Sequence, residues 1–155
     1  MNPFSAAPPV RFDSPLLEPG AGTLSHAVLP LTSDEHVVAL RRLVRDMALA
    51  IKLSLVDQTK LVTAASELAR NTIKYGGGGQ AHVLELDDGM RRGVRLLFAD
   101  DGPGIANLEL ALTDGYTTGG GLGLGLSGAR RLVDQFDIDT RPGEGTVVAV
   151  LKWKR

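Results

Sequence analysis

The chain has 155 residues, 43% apolar and 23% charged, the make-up of one ordinary globular domain with a real hydrophobic core. Its 17 Lys and Arg against 18 Asp and Glu leave no net field to recruit nucleic acid or an anionic membrane. With no cysteine, no apolar run near the ~18 residues of a membrane span and no secretory pattern, a soluble cytoplasmic protein is expected.

Residues 1–23 carry Pro3, Pro8, Pro9, Pro15, Pro19, Gly20 and Gly22 and are expected to form a flexible tail before a single domain, 24–155. The alternative is an arm that orders on a partner. Ser25–Leu31 reads as a short strand, placed near an edge by Pro30. Ser33 fits an N-cap, with Asp34 and Glu35 in the first helical turn. Val37, Leu40, Val44, Met47 and Ile51 then recur every three or four residues, the core face of a helix. A second helix is expected to start near Asp57 as N-cap and to end at the glycines after Tyr75.

Ala81–Leu86 and Gly93–Ala99 look like paired strands around the turn Asp87-Asp88-Gly89. A further helix is expected to carry Leu122, Leu126, Ala129, Val133 and Phe136 on one face. Ile138–Thr140, the turn 141–145 and Thr146–Trp153 read as a closing hairpin. The order β-α-α-β-β-α-β-β predicts an α+β fold: a two-layer sandwich with helices on one face of a mainly antiparallel sheet.

Chemistry concentrates in two places. On the second helix Glu67 and Asn71 are four apart, about 40° around the axis, so they share a face. A carboxylate beside an amide there can hold a proton acceptor and a Mg²⁺ ligand side by side; ordinary solvated helix residues are the alternative. Asp100 ends an apolar strand, either as an acceptor for an exocyclic amine or as a turn-starting Asp. Some twenty residues on come Gly119, Gly120, Gly121, Gly123 and Gly125, leading into a helix start. Dense glycine allows close backbone approach, and a helix start suits phosphate, so the stretch 98–126 reads as an ATP site. No Gly-Lys-Ser/Thr follows, so it is not a Walker loop. Gly123-x-Gly125-x-x-Gly128 lacks the preceding strand of a dinucleotide fold. His26, His36 and His82 form no ligand spacing, and no Ser/His/Asp set supports hydrolysis.

Glu67…Asn71, Asp100-x-Gly102-x-Gly104-Ile105, Gly119–Leu126 and Gly145-Thr146 together resemble the four boxes of the GHKL (histidine-kinase-like) ATP-binding fold. Ser66-Glu-Leu-Ala-Arg-Asn71, Asp114-Gly-Tyr-Thr-Thr118 and Gly143-Glu-Gly-Thr146 are most similar to the RsbT-type switch kinases of the stressosome. The resemblance implies that Glu67 is the general base and Asn71 the Mg²⁺ ligand. It implies that Asp100 accepts from the adenine amine, that Gly102, Gly104 and Ile105 shape the base pocket, and that Thr146 backs up Asp100. Thr117, Thr118, Gly119, Gly120, Gly121, Leu122, Gly123, Leu124 and Gly125 would cradle the phosphates, with Lys74 or Arg130 lending a cation. No Lys or Arg lies between Ile105 and Gly128, so the lid supplies none. The implied activity is a protein serine/threonine kinase using ATP and Mg²⁺. It would phosphorylate a STAS-domain antagonist or scaffold protein and, once released, activate a PP2C-type phosphatase. The alternative from another class is an anti-sigma factor that sequesters a sigma subunit; a third reading, a nucleotide binder without transfer activity, has no use for Glu67. No nucleic-acid or membrane partner is expected.

Overall fold

The computed structural model describes residues 10–113 and 125–155. Apolar runs bounded by turn residues build five strands: β1 (Thr23–Leu31), β2 (Gly79–Asp87), β3 (Arg92–Asp100), β4 (Gln135–Arg141) and β5 (Gly145–Trp153). They form one sheet in the order β1-β2-β3-β5-β4, with every neighbouring pair antiparallel. β1 lies at an edge, as Pro30 suggested, and β5 is buried along its whole length between β3 and β4. The helices α1 (Asp34–Ala50), α2 (Leu55–Lys74), α3 (Leu108–Ala111) and α4 (Gly125–Arg131) complete the expected α+β architecture.

One core joins the layers. Leu29 and Leu31 of β1, Leu96 and Phe98 of β3, and Val148 and Val150 of β5 meet Leu40, Val44, Leu61 and Leu68 of the two long helices. Each such side chain contributes roughly 1.5–3 kcal/mol on burial. Ser33 caps α1 as expected, accepting from the His36 N–H. The cap of α2 is Ser54, three residues before Asp57. Its hydroxyl accepts from the Asp57 N–H, and Asp57 instead sits in the first turn, where a carboxylate complements the helix dipole. The expected long closing helix is also corrected: α4 stops at Arg131, and Phe136 lies on β4. Val133 and Phe136 still pack on the core, but from a turn and a strand; Leu122 lies outside the described residues.

Each face of the sheet carries an anchor of its own. Lys152 of β5 is buried beneath the helices, its Nζ 3.4 Å from Asp57 and 3.8 Å from Asp134. On the other face of the sheet, residues 10–18 are packed against it and depart from the flexible tail expected there. Phe12 is 5% exposed against Ala99 and Val147, and Leu16 and Leu17 lie on Leu84, Leu97 and Ala149. Arg95 donates to the carbonyls of Leu16 and Glu18. No helix among the described residues is long and apolar enough to cross a membrane.

On the same face His26 and His82 stack with ring centroids 5.0 Å apart and share an Nε2–Nδ1 hydrogen bond of 2.8 Å. Burial, with the neighbouring His26 adding to it, holds the His82 pKa down to about 4. The unfolded chain therefore binds this proton from about pH 6.5 downward while the folded protein stays neutral to about pH 4. Stability should fall with pH across that window. His82→Gln should flatten the fall, read as the thermal midpoint against pH; an unchanged profile would count against a His82 held neutral by burial.

Candidate functional site

The site is built from the C-terminal end of β3 outward. Asp100 is 7% exposed, paired in register with Gly79 of β2 on one side and Thr146 of β5 on the other. Its Oδ1 accepts from the Gly102 N–H at 2.9 Å, which folds the chain into a tight turn. Burial pushes its carboxyl above the ordinary carboxylate range, and the charge of Asp101 adds to that; backbone N–H bonds from Gly102 and Thr146 oppose it. A carboxylate with this setting is an acceptor held ready for a donor that brings no charge of its own, such as an amine on a flat base.

Glycine makes the room. A Cβ on Gly76, just past α2, would lie 2.4 Å from Asp100 Cγ, and one on Gly102 would lie 2.7 Å from Gly76 Cα. Gly76 is thus a wall of the site that sequence reasoning took only as a helix terminator. Gly104 has φ 74°, and a Cβ there would lie 2.4 Å from the Arg141 carbonyl oxygen. The next residue, Ile105, donates its N–H to the Thr140 hydroxyl at 2.9 Å. Thr140 and Thr146 share a hydroxyl hydrogen bond of 2.8 Å. Thr146 pairs with Asp100 across β3 and β5, and Thr140, which carried no signal in the sequence, links it to the turn. The only pointer available was its place opposite Thr146 in a predicted hairpin.

α2 brings the second group of residues to the same end. Glu67, Asn71 and Lys74 occupy successive turns, and the Tyr75 and Gly76 N–H groups close the helix on the Asn71 carbonyl. Glu67 Oε1 lies 3.5 Å from an Arg70 guanidinium nitrogen. Arg70 is more than half exposed, whereas the Glu67 side chain is 15% exposed, so water screens the pair mainly from the arginine side. Lys74 is exposed and lies over the Tyr75 ring, its Nζ 5.2 Å from the centroid. Arg130 is exposed on α4. Gly125 opens α4 with φ 69°. Thr117, Thr118, Gly119, Gly120, Gly121, Leu122, Gly123 and Leu124 lie outside the described residues.

Among the described residues no group of three or more His, Asp and Glu could hold a metal ion by itself. The Asn71 amide oxygen is a hard donor of the kind Mg²⁺ accepts, and this ion completes its shell with water and phosphate oxygens. That donor set fits a metal arriving with a nucleotide. The Gly76 wall is directly testable. Gly76→Ala should keep the protein folded and weaken ATP binding roughly 10- to 100-fold, the cost of overpacking one methyl against Asp100. Unchanged affinity in a titration calorimeter would take Gly76 out of the site.

Comparison with known proteins gives the family and the fold. Residues 56–155 match the family of histidine kinase-, DNA gyrase B-, and HSP90-like ATPases. The chain is 41% identical over 125 residues to the serine/threonine-protein kinase RsbT of Bacillus subtilis, covering 81% of this chain and 94% of that protein. It is 33% identical over 104 residues to the anti-sigma F factor of Bacillus licheniformis, covering 62% and 69%. The crystal structure of the RsbU and RsbW domains of a Mycobacterium tuberculosis protein superposes with a TM-score of 0.59 at 19% identity. The match spans 84% of this chain and 33% of that one, a likeness of fold. The chain belongs to the histidine kinase-, DNA gyrase B- and HSP90-like ATPase family, in the branch of RsbT-like serine/threonine-protein kinases.

Proposed function

We propose that this protein is an ATP-dependent serine/threonine kinase of a cytoplasmic partner-switching pathway. It phosphorylates a STAS-domain antagonist or scaffold protein and, released from it, activates a PP2C-type phosphatase. The observation that carries the reading is the buried Asp100 carboxylate, walled by Gly76 and Gly102 and joined through α2 to Glu67. Asp100 accepts from the adenine amine, and Thr146 holds it in place. Asn71 would hold Mg²⁺, which when bound supplies positive charge to the phosphate oxygens.

Glu67 then has the proton to manage. Its carboxylate takes the proton of a substrate Ser or Thr hydroxyl as that oxygen forms its bond to the γ-phosphorus. The bond from the γ-phosphorus to the β–γ bridging oxygen breaks, and ADP leaves. Arg70 has to release Glu67 for this step, and its guanidinium, the more exposed partner of the pair, is free to swing into solvent. Lys74 and the glycine-rich segment 119–125 are assigned to the phosphates.

The second reading, an anti-sigma factor holding a sigma subunit, is favoured by the likeness to the anti-sigma F factor. Both readings use the same nucleotide site, so the partner and the transfer step separate them. Asp100→Asn should abolish ATP binding, because an amide places an N–H donor against the adenine amine. Glu67→Ala should keep ATP binding and lose about 10²- to 10⁴-fold in phosphate transfer, the usual worth of a general base. Labelled γ-phosphate transferred to a STAS-domain protein is the readout. Normal transfer by Glu67→Ala would sink the mechanism. Stable capture of a sigma subunit, with no STAS protein phosphorylated, would favour the second reading.

A further inference from the structure

The packed N-terminal segment does more than cover apolar surface. Arg11 N–H lies 2.9 and 2.8 Å from the two carboxylate oxygens of Asp101, and Phe12 N–H lies 2.6 Å from Oδ1. Two successive backbone N–H groups aimed at one carboxylate form a small anion cradle, and bonds to an ionised acceptor are the strong kind. Asp101 directly follows Asp100. The segment is therefore fastened to the residue next to the base acceptor, not to a remote part of the sheet.

The same turn is gripped from its other side. Gly143 N–H donates to the Pro103 carbonyl at 2.7 Å, Gly104 packs on the Arg141 carbonyl, and Ile105 bonds Thr140. Those partners all belong to the β4–β5 hairpin. The two grips touch each other: the Arg141 guanidinium lies 5.1 Å over the Phe12 ring. Phe12 also lies 3.0 Å from where a Gly145 Cβ would stand, directly behind Thr146 and the Asp100 carbonyl. The chain from Asp101 to Ile105 is held at nearly every residue, and residues 10–12 supply the hold at its first position.

We propose that residues 10–12 form a strap on the base-recognising turn and that Asp101 is a positioning residue for nucleotide binding. This rests on the reading of Asp100 as the adenine acceptor. Residues 10–12 lie outside the matched family segment 56–155, so the strap is assigned on this chain's own contacts. With the cradle in place, the Asp101 charge is engaged away from the base and the Asp100 carboxylate keeps one orientation. With the strap released, the first turn residue is free to shift and Asp100 loses its fixed aim.

The test uses the full chain and measures Kd for ATP and for GTP together with the thermal midpoint. Asp101→Ala should raise the ATP Kd about tenfold, the worth of one charge-assisted hydrogen bond at the turn, and cut the ATP-over-GTP preference with it. Asp101→Asn keeps an acceptor oxygen and should recover most of both. A chain lacking residues 1–12 should match Asp101→Ala, and the two changes combined should be no worse than either alone. If Asp101→Ala or the shortened chain lowers the thermal midpoint but leaves Kd and base preference unchanged, the segment only covers the sheet and the proposal fails. Asp100→Asn separates the two levels. Loss of ATP binding there with no effect at Asp101 rejects the strap alone. Normal binding there rejects the adenine reading and the strap with it.

Discussion

A carboxylate taken out of water at the end of β3 is the constraint to which its surroundings are fitted. Burying such a group costs several kcal/mol unless donors meet it and nothing crowds it. Here the donors are backbone N–H groups of Gly102 and Thr146, supplied by the turn and by β5. The space comes from the missing side chains of Gly76 and Gly102. The residues around Asp100 come from α2, the turn after β3, and the β4–β5 hairpin, so its environment exists only when the whole sheet is assembled.

α2 is held relative to that carboxylate at both of its ends. At its start, Asp57 pairs with the buried Lys152; at its finish, Gly76 packs on Asp100 itself. A buried ion pair is weak evidence for stability, since desolvation offsets its attraction, but it tolerates little displacement of either partner. Lys152 and Asp100 sit toward opposite ends of the sheet. Pinning the helix at both sets the height at which Glu67 and Asn71 stand relative to Asp100. The spacing between Asp100 and the helix face that carries Glu67 and Asn71 is thus set by one helix and two anchors.

Local periodicity made much of this legible. The strand pair around the Asp87-Asp88-Gly89 turn, the closing hairpin, the apolar stripe of α1 and the Asp100-x-Gly-x-Gly turn are all short-range patterns, and the structure keeps them. What was missed depends on distant pairing. Gly76 matters because Asp100, twenty-four positions later, folds against it, and Thr140 matters because the hairpin sets it opposite Thr146. Phe136 fits a helical stripe drawn from Leu126 and Ala129, yet it reaches the same core from a strand, because spacing alone does not distinguish the two. The segment around Phe12, Leu16 and Leu17 reads as disordered from its prolines and glycines. Its order comes from an apolar sheet face and a carboxylate some ninety residues away.

The place of β5 between β3 and β4 has a consequence for how the protein comes into being. During synthesis, β1 to β3 and both long helices are available first, as a three-stranded sheet with β3 exposed along one side. Joining β3 to β5 closes a loop of some fifty residues, a non-local step that slows folding. Until it closes, Asp100 has no Thr146 beside it and the apolar strand β3 offers an open edge to other chains. A nascent chain short of Gly145 therefore has neither the Asp100–Thr146 pairing nor a covered β3 edge, and it acquires both in the same event.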